Sequence, residues 1–303
     1  MLGNFRYCLL AGLLIGTGTV NAANDNSSSN TNTNESTAGI TGFDLKFIND
    51  SNPAKAEFER DIEESNSFMG RVSANILSKD LSQSASVPSG LSLNASASFE
   101  HNADIEDLGE SRYRLSADWF RENNLSTLAP FYRLSLGLGY LDSETQIRDS
   151  VIIDVSASAN VQPTNFFDST LGISLEAREA DTEVFDTTKA TLFLTGNFSP
   201  ASRLVLRAGL RVVLGNEVST ATPTLNIVNT AEAIEPDGAF GGRDENRFAY
   251  LLDATSTIFE VGAGFLLTDA LETNLLYRVI STSADNDIGY DRNMLELTFS
   301  YSL

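Results

Sequence analysis

The chain has 303 residues, and its 41 acidic and 20 basic residues give a formal net charge of −21. An acidic excess of this size argues against nucleic acid as a partner, because phosphate backbones are bound by basic surfaces. Cys8 is the only cysteine, which excludes a disulfide within the chain.

The first 22 residues have the pattern of a secretory signal peptide. Arg6 precedes an apolar run from Tyr7 to Gly16, and the small residues up to Ala22 suit a cleavage site. The run is shorter than the roughly 20 apolar residues that a membrane-spanning helix needs. Residues 23–39 are rich in Asn, Ser and Thr and cannot bury a core. The sequence therefore predicts a flexible leader, followed by one folded domain over residues 40–303.

From residue 40 onward, apolar and polar residues alternate in successive segments of about ten residues. Such alternation places the apolar residues on one face of a strand and the polar residues on the other. The polar face carries mainly Ser, Thr, Asn, Gly and charged residues, segment after segment. Twelve strands are predicted, at about 40–48, 68–76, 91–99, 112–119, 132–140, 151–160, 167–176, 189–198, 203–214, 248–265, 274–279 and 295–303.

The tenth predicted strand changes phase along its length. Phe248, Tyr250 and Leu252 are apolar on even numbers, whereas Phe259 and Val261 are apolar on odd numbers. A shift of one residue moves side chains to the opposite face, so this change predicts a bulge near residues 255–257.

The connectors between the strands alternate in length. Short connectors with turn-forming residues occur at 162–165, 199–202 and 268–270. Long, acidic connectors occur at 50–65, 100–110, 178–187, 216–246 and 282–292. Alternate connectors of an antiparallel sheet lie at opposite ends, so the long ones are expected together at one end. Connectors 81–90 and 122–130 are longer than the others at the short end.

The chain ends inside its twelfth strand, whose odd-numbered residues form the apolar face. These residues are Leu295, Leu297, Phe299, Tyr301 and Leu303. This ending, the even strand number and the alternating connectors resemble the outer-membrane β-barrels of Gram-negative bacteria. The resemblance implies an all-β fold, namely a transmembrane antiparallel up-and-down β-barrel of about 12 strands. A soluble β-sandwich also alternates on its core face, but the small, wet second face suits a water-filled lumen better.

The resemblance also implies location and partners. It places the protein in the cell outer membrane, in contact with lipid and lipopolysaccharide, with the leader in the periplasm. In that family the C-terminal strand is recognised by the barrel assembly machinery, which makes the odd residues from Leu295 to Leu303 the expected insertion signal. The family usually ends in Phe, whereas this chain ends in Leu303.

In a barrel, the polar face of each strand would line the lumen. The charged residues expected there are Arg114, Asp118, Arg133, Asp154, Glu176, Lys189, Arg203, Arg207, Arg211, Arg278 and Glu296. Arg203, Arg207 and Arg211 would lie about 13 Å apart along one strand and could guide anions. The alternative is that opposite charges pair across the lumen and close it.

Signals for catalysis or metal binding are weak. His101 is the only histidine. A His with a Ser two residues later on one strand face would resemble the outer-membrane phospholipases, but this chain has Ala103 at that position. We therefore predict no enzyme. Asp285, Asp287 and Asp291 have the spacing of oxygen ligands for Ca²⁺, but a solvated acidic loop explains them equally well. No other cofactor is predicted.

The predicted function is a porin-like channel for small polar or anionic solutes. The alternative is a non-conducting structural, receptor or adhesion barrel that acts through its outer loops. The length of the connector 216–246 motivates that alternative.

Overall fold

The structure is a computed structural model that describes residues 35–36, 38–81, 88–123 and 129–303. The predicted signal peptide and most of the predicted leader lie outside the described residues. Glu35 and Ser36 of the leader form a short strand against Lys79 and Ser78.

Strands make up most of the described chain. They are β1 (Glu35–Ser36), β2 (Gly39–Asp50), β3 (Ser65–Asp80), β4 (Ser89–Asn102), β5 (Glu110–Glu122), β6 (Phe131–Ser143), β7 (Ser150–Thr164), β8 (Phe167–Ala180), β9 (Thr187–Ala201), β10 (Leu204–Ala221), β11 (Ala233–Pro236), β12 (Phe248–Leu266), β13 (Leu271–Ala284) and β14 (Gly289–Ser302). The one α-helix in the described residues is α1 (Leu225–Thr230). No helix among the described residues has the length and apolar character needed to cross a membrane.

Twelve of these strands close into a barrel. Each strand from β2 to β10, and β12 to β14, pairs antiparallel with its neighbour along the chain, β10 pairing with β12. The sheet closes because β14 pairs with β2, from Met294 opposite Asp50 to Ser302 opposite Gly42. The predictions of an all-β antiparallel up-and-down barrel and of twelve strands are confirmed.

The prediction of a bulge in the tenth strand, which is β12 of the structure, is wrong. Pairing with β10 runs without interruption from Leu204 opposite Phe265 to Ala221 opposite Phe248. Tyr250 and Leu252 share the inner face with Glu260, and they are apolar because loop residues cover them. The even-numbered residues of β12 point inward along the whole strand. They are apolar near residue 250, where loop residues cover them, and include the charged Glu260 further along, where they face the lumen.

The two faces of the barrel wall differ as the alternation predicts. Leu136, Leu175 and Phe259 point outward and keep 54%, 56% and 57% of their surface exposed. Similar apolar residues follow on every barrel strand, so the outer wall is an apolar band. Aromatic residues pair within this band, for example Phe47 with Phe68 at 5.2 Å between ring centroids.

The long connectors form a compact layer, here called the cap, from residues 51–64, 103–109, 144–149, 181–186, 218–251 and 285–288. In the ring of twelve strands, the β4–β5 connector lies diametrically opposite the β10–β12 connector. Ile105 and Leu108 from the first nevertheless pack with Ala239 and Phe240 from the second, together with Ala54 and Ala56. Connectors from opposite sides meet, so the cap spans the mouth of the barrel.

Part of the cap is built from extensions of the wall. The ends of β10 and β12 continue past the barrel as a paired ribbon, and β11 adds a third strand to it. Ala249 and Leu251 of this ribbon pack against Val184 and Phe185 from the β8–β9 connector. The connectors are consequently shorter than the sequence suggested, since β8, β10 and β13 extend to Ala180, Ala221 and Ala284.

Candidate solute pathway

A chain of ion pairs crosses five neighbouring strands on the inner wall. Lys46 of β2 lies 3.1 Å from Glu296 of β14, which also binds Arg278 of β13. Arg278 reaches Glu260 of β12 at 3.3 Å, and Glu260 binds Arg211 of β10 at 3.2 Å. Each acid holds two basic groups, so this wall carries three positive and two negative charges in one network.

The other inner-wall pairs follow the same geometry. Arg133 of β6 lies 2.9 Å from Asp118 of β5, and Arg207 of β10 lies 3.2 Å from Glu272 of β13. Arg114 of β5 binds Asp154 of β7, passing over β6.

Glycine makes that last contact possible. A Cβ on Gly137 of β6 would collide with both Arg114 and Asp154, so the ion pair lies flat on the bare backbone. These lumen pairs join strands that are adjacent or separated by one strand, and they therefore follow the wall.

Arg203 is the exception among the predicted lumen residues. It lies exposed in the turn between β9 and β10, outside the strand. The predicted ladder of three arginines is thus reduced to Arg207 and Arg211, and each of these is paired with a carboxylate. The predicted strand starts one residue before β10 because Arg203, although it lies in the turn, still fits the alternation of polar and apolar residues.

Lys189 and Glu176 stand directly opposite each other on the inner face of β9 and β8. They do not form an ion pair in the described structure. Lys189 instead binds Glu217 at 3.0 Å, and Glu176 keeps an exposed carboxylate.

A cavity of about 390 Å³ lies between the cap and the lumen, and it is here called the chamber. Its size falls within the range of small-molecule sites. The charged residues that line it are Lys55, Arg112, Arg148, Arg178, Lys189 and Arg292, with Asp50, Glu100, Glu110, Glu176 and Glu217.

Lys55 anchors the cap to the wall. Its side chain enters from the β2–β3 connector and binds Glu217 of β10, the same carboxylate that Lys189 binds. The Lys55 carbonyl accepts a hydrogen bond from the Ser219 hydroxyl at 2.7 Å. Burial is the largest influence and lowers the pKa of Lys55 to about 8, although Glu217 acts in the opposite direction.

Arg148 joins three connectors of the cap. It donates to Asp237 at 2.5 Å, and its guanidinium lies 4.7 Å from the ring centre of Phe185 and 5.9 Å from that of Phe240. Asp237 is fully buried and also accepts from the Thr220 hydroxyl. Loss of this carboxylate would leave the partly buried guanidinium of Arg148 without its ion-pair partner, which is costly.

The cap residues were missed by the sequence analysis. Lys55, Arg148 and Asp237 lie in connectors, where no periodicity indicates which way a side chain points. Arg178 was assigned to a connector, yet β8 extends past it and directs it into the chamber.

The remaining predicted sites have these positions. Leu295, Leu297, Phe299 and Tyr301 lie on the outer face of β14, and Leu303 follows its last residue. Asp285 and Asp287 are exposed in a turn, whereas Asp291 lies in β14. No group of three acidic, His or Cys side chains suited to a metal ion occurs in the described part of the chain. His101 lies in β4 opposite Phe68, although the sequence predicted a connector over residues 100–110.

Comparison with known proteins identifies the fold. No protein-family model and no curated protein matches this chain. An outer membrane channel from Pseudomonas putida F1 matches with a TM-score of 0.54 and 11% identity, covering 91% of this chain and 100% of that chain. A KdgM porin in complex with disordered oligogalacturonate (TM-score 0.45, 7% identity, 86% of this chain and 99% of that chain) and a NanC porin (0.45, 7%, 86% and 100%) are also similar. The first likeness shows that this chain has the fold of an outer-membrane channel barrel.

Proposed function

We propose that this protein is a porin-like outer-membrane channel for small polar solutes, with the cap controlling entry at its outer mouth. The proposal rests on one observation: the ion pairs in the lumen run along the wall of the barrel and do not cross it. Below the cap, every ion pair between described strand residues lies within one strand or joins strands that are adjacent or one apart. Charges held against the wall leave the axis of the barrel unbridged.

The outward apolar band and the shared fold support a position in the outer membrane. Long connectors face the cell exterior in such barrels, so the cap is proposed to be extracellular and the short turns periplasmic. Lipid and lipopolysaccharide would then contact the band. The outward face of β14 would serve as the signal for the assembly machinery.

The balance of lumen charges supports small polar solutes of either sign, with some preference for anions. Arg71 faces the lumen and, within the described residues, forms no ion pair, and its buried Nε has no hydrogen-bond partner. No catalytic activity, resident metal or cofactor is proposed.

Conductance across a planar bilayer tests the proposal. The purified protein should give small, intermittent current steps, because the cap covers the mouth. A variant in which residues 222–247 are replaced by a short Gly-Ser turn should give larger and longer steps. No steps from either protein, with folding verified by heat-dependent gel mobility, would refute the channel.

The second candidate is a non-conducting barrel that acts through its cap. It is favoured by apolar side chains on the surface of the cap, where Leu225 is 79% exposed and Phe58 and Val228 are about 40% exposed. Under this candidate, Leu225→Ser would abolish adhesion or partner binding by whole cells. Under the channel proposal, the same variant conducts normally.

A further inference from the structure

The chamber beneath the cap contains one cation, Arg178, and two anions, Glu100 and Glu176, that form no ion pair with a described residue. Of its charged lining residues, Lys55 and Lys189 share Glu217, Arg292 binds Asp50, Arg112 binds Glu110, and Arg148 binds Asp237. Glu100 accepts a hydrogen bond from the Ser67 hydroxyl at 2.6 Å. Of the two anions without an ion pair, only Glu176 also lacks a hydrogen bond from a described residue, and Arg178 is the one cation without an ion pair in the described lining.

Arg178 is held in place by neutral groups. Its Nε donates to the Ser150 hydroxyl at 2.9 Å, and one terminal nitrogen donates to the Arg148 carbonyl at 2.7 Å. The other terminal nitrogen makes no hydrogen bond with a described residue. A guanidinium that is fixed but not neutralised is preorganised to bind a carboxylate.

Glu176 lies two residues before Arg178 on the same face of β8, so their Cα atoms are about 6.6 Å apart. Its carboxylate is exposed to the chamber and accepts no hydrogen bond from a described residue. Lys189, which stands opposite it, is held by Glu217. A free carboxylate is thereby kept beside a free guanidinium.

We propose that the chamber binds a small zwitterion of the α-amino acid class, with its carboxylate on Arg178 and its ammonium on Glu176. A simple anion would place a second negative charge beside Glu176, and a simple cation would leave Arg178 unneutralised. A ligand carrying both charges on neighbouring atoms satisfies both groups. This site would define the class of solute that the channel takes, so its physiological meaning rests on the proposed function. Binding of the ligand is measured independently of conductance.

The test compares three ligands of nearly equal size on the full-length barrel in detergent at neutral pH. L-alanine carries both charges, L-lactate lacks the ammonium and isopropylamine lacks the carboxylate. Saturation-transfer NMR should show alanine binding at least about tenfold more tightly than either analogue, since a charged hydrogen bond contributes that much. Equal binding of lactate and alanine, or no binding of alanine, would overturn the inference.

Variants locate the site. Arg178→Gln and Glu176→Gln should each weaken alanine binding about tenfold or more. Arg203→Gln in the turn and Glu179→Gln, exposed at the end of the same strand, are matched controls that should bind normally. If both chamber variants bind alanine like the unmodified protein, the assignment is overturned. Alanine binding without bilayer current would refute the channel alone.

Discussion

Lys55 of the cap and Lys189 of the barrel wall bind the two oxygens of one carboxylate, that of Glu217. Lys55 belongs to the β2–β3 connector and Lys189 to β9. This shared carboxylate couples the position of the cap to the inner wall, and it lies at the edge of the chamber.

The pH dependence of the cap follows from Lys55. Its pKa of about 8 in the closed cap is below the 10.5 of a free lysine, so the closed state releases its proton first. Closure is therefore least favoured below pH 8 and becomes more favoured as the pH rises from 8 towards 10.5. The groups facing Lys55 are Glu217, Lys189 and Arg292.

We expect the open probability of single channels to fall as the pH is raised from 7 to 9.5. Lys55→Met should flatten this dependence, whereas Lys79→Met, exposed at the end of β3, should retain it. An open probability that rises with pH in the unmodified protein would contradict the coupling.

Removal of the buried carboxylate at Asp237 should open the cap. Asp237→Ala leaves Arg148 and Thr220 without their partner, a loss of several kcal/mol for a buried charge pair. The barrel wall should stay intact, so mean current should rise while the heat-dependent gel shift persists. Asp269→Ala, in an exposed turn at the other end, is the control, and unchanged current in Asp237→Ala would count against a closing role.

The bare backbone at Gly137 should be required for the flat ion pair. Gly137→Ala places a methyl group where Arg114 and Asp154 lie, which should push the pair into the lumen and cost about 1–3 kcal/mol. Gly70→Ala is the matched control, because its Cβ would meet nothing within 4 Å. Lower single-channel current and a lower unfolding midpoint are expected for the first variant only, and equal behaviour of the two would exclude this role.

A charged residue introduced into the apolar band should destabilise the folded barrel. Leu136→Arg should destabilise the folded barrel in lipid by about 2–4 kcal/mol, the cost of a basic residue near the bilayer centre. Leu225→Arg, on the exposed surface of the cap, should have little effect. Equilibrium denaturation in vesicles measures both. Similar stability of the two variants would indicate that Leu136 does not face lipid.

The alternation of residue types determined the twelve strands, their faces and the end at which the long connectors gather. This information is local, because a strand has a period of two and each barrel strand meets lipid on one side and water on the other. The identity of the inward charges, from Lys189 to Glu296, followed from the same rule. The alternation rule failed at Arg203, because the alternation continues into a turn. It also failed at Tyr250, because loop residues bury this inward-facing position, and the resulting apolar residue imitates a change of strand face.

Only the tertiary structure decided what those charges do. The pairing of Arg114 with Asp154 depends on the register of three strands and on a glycine between them. The cap depends on an apolar cluster that includes Ile105 and Phe240, whose connectors start from opposite sides of the ring. Such contacts join residues that are distant in the chain and have no periodic signal, so the closed mouth, the chamber and the unpaired Arg178 and Glu176 emerge only when the sheet closes.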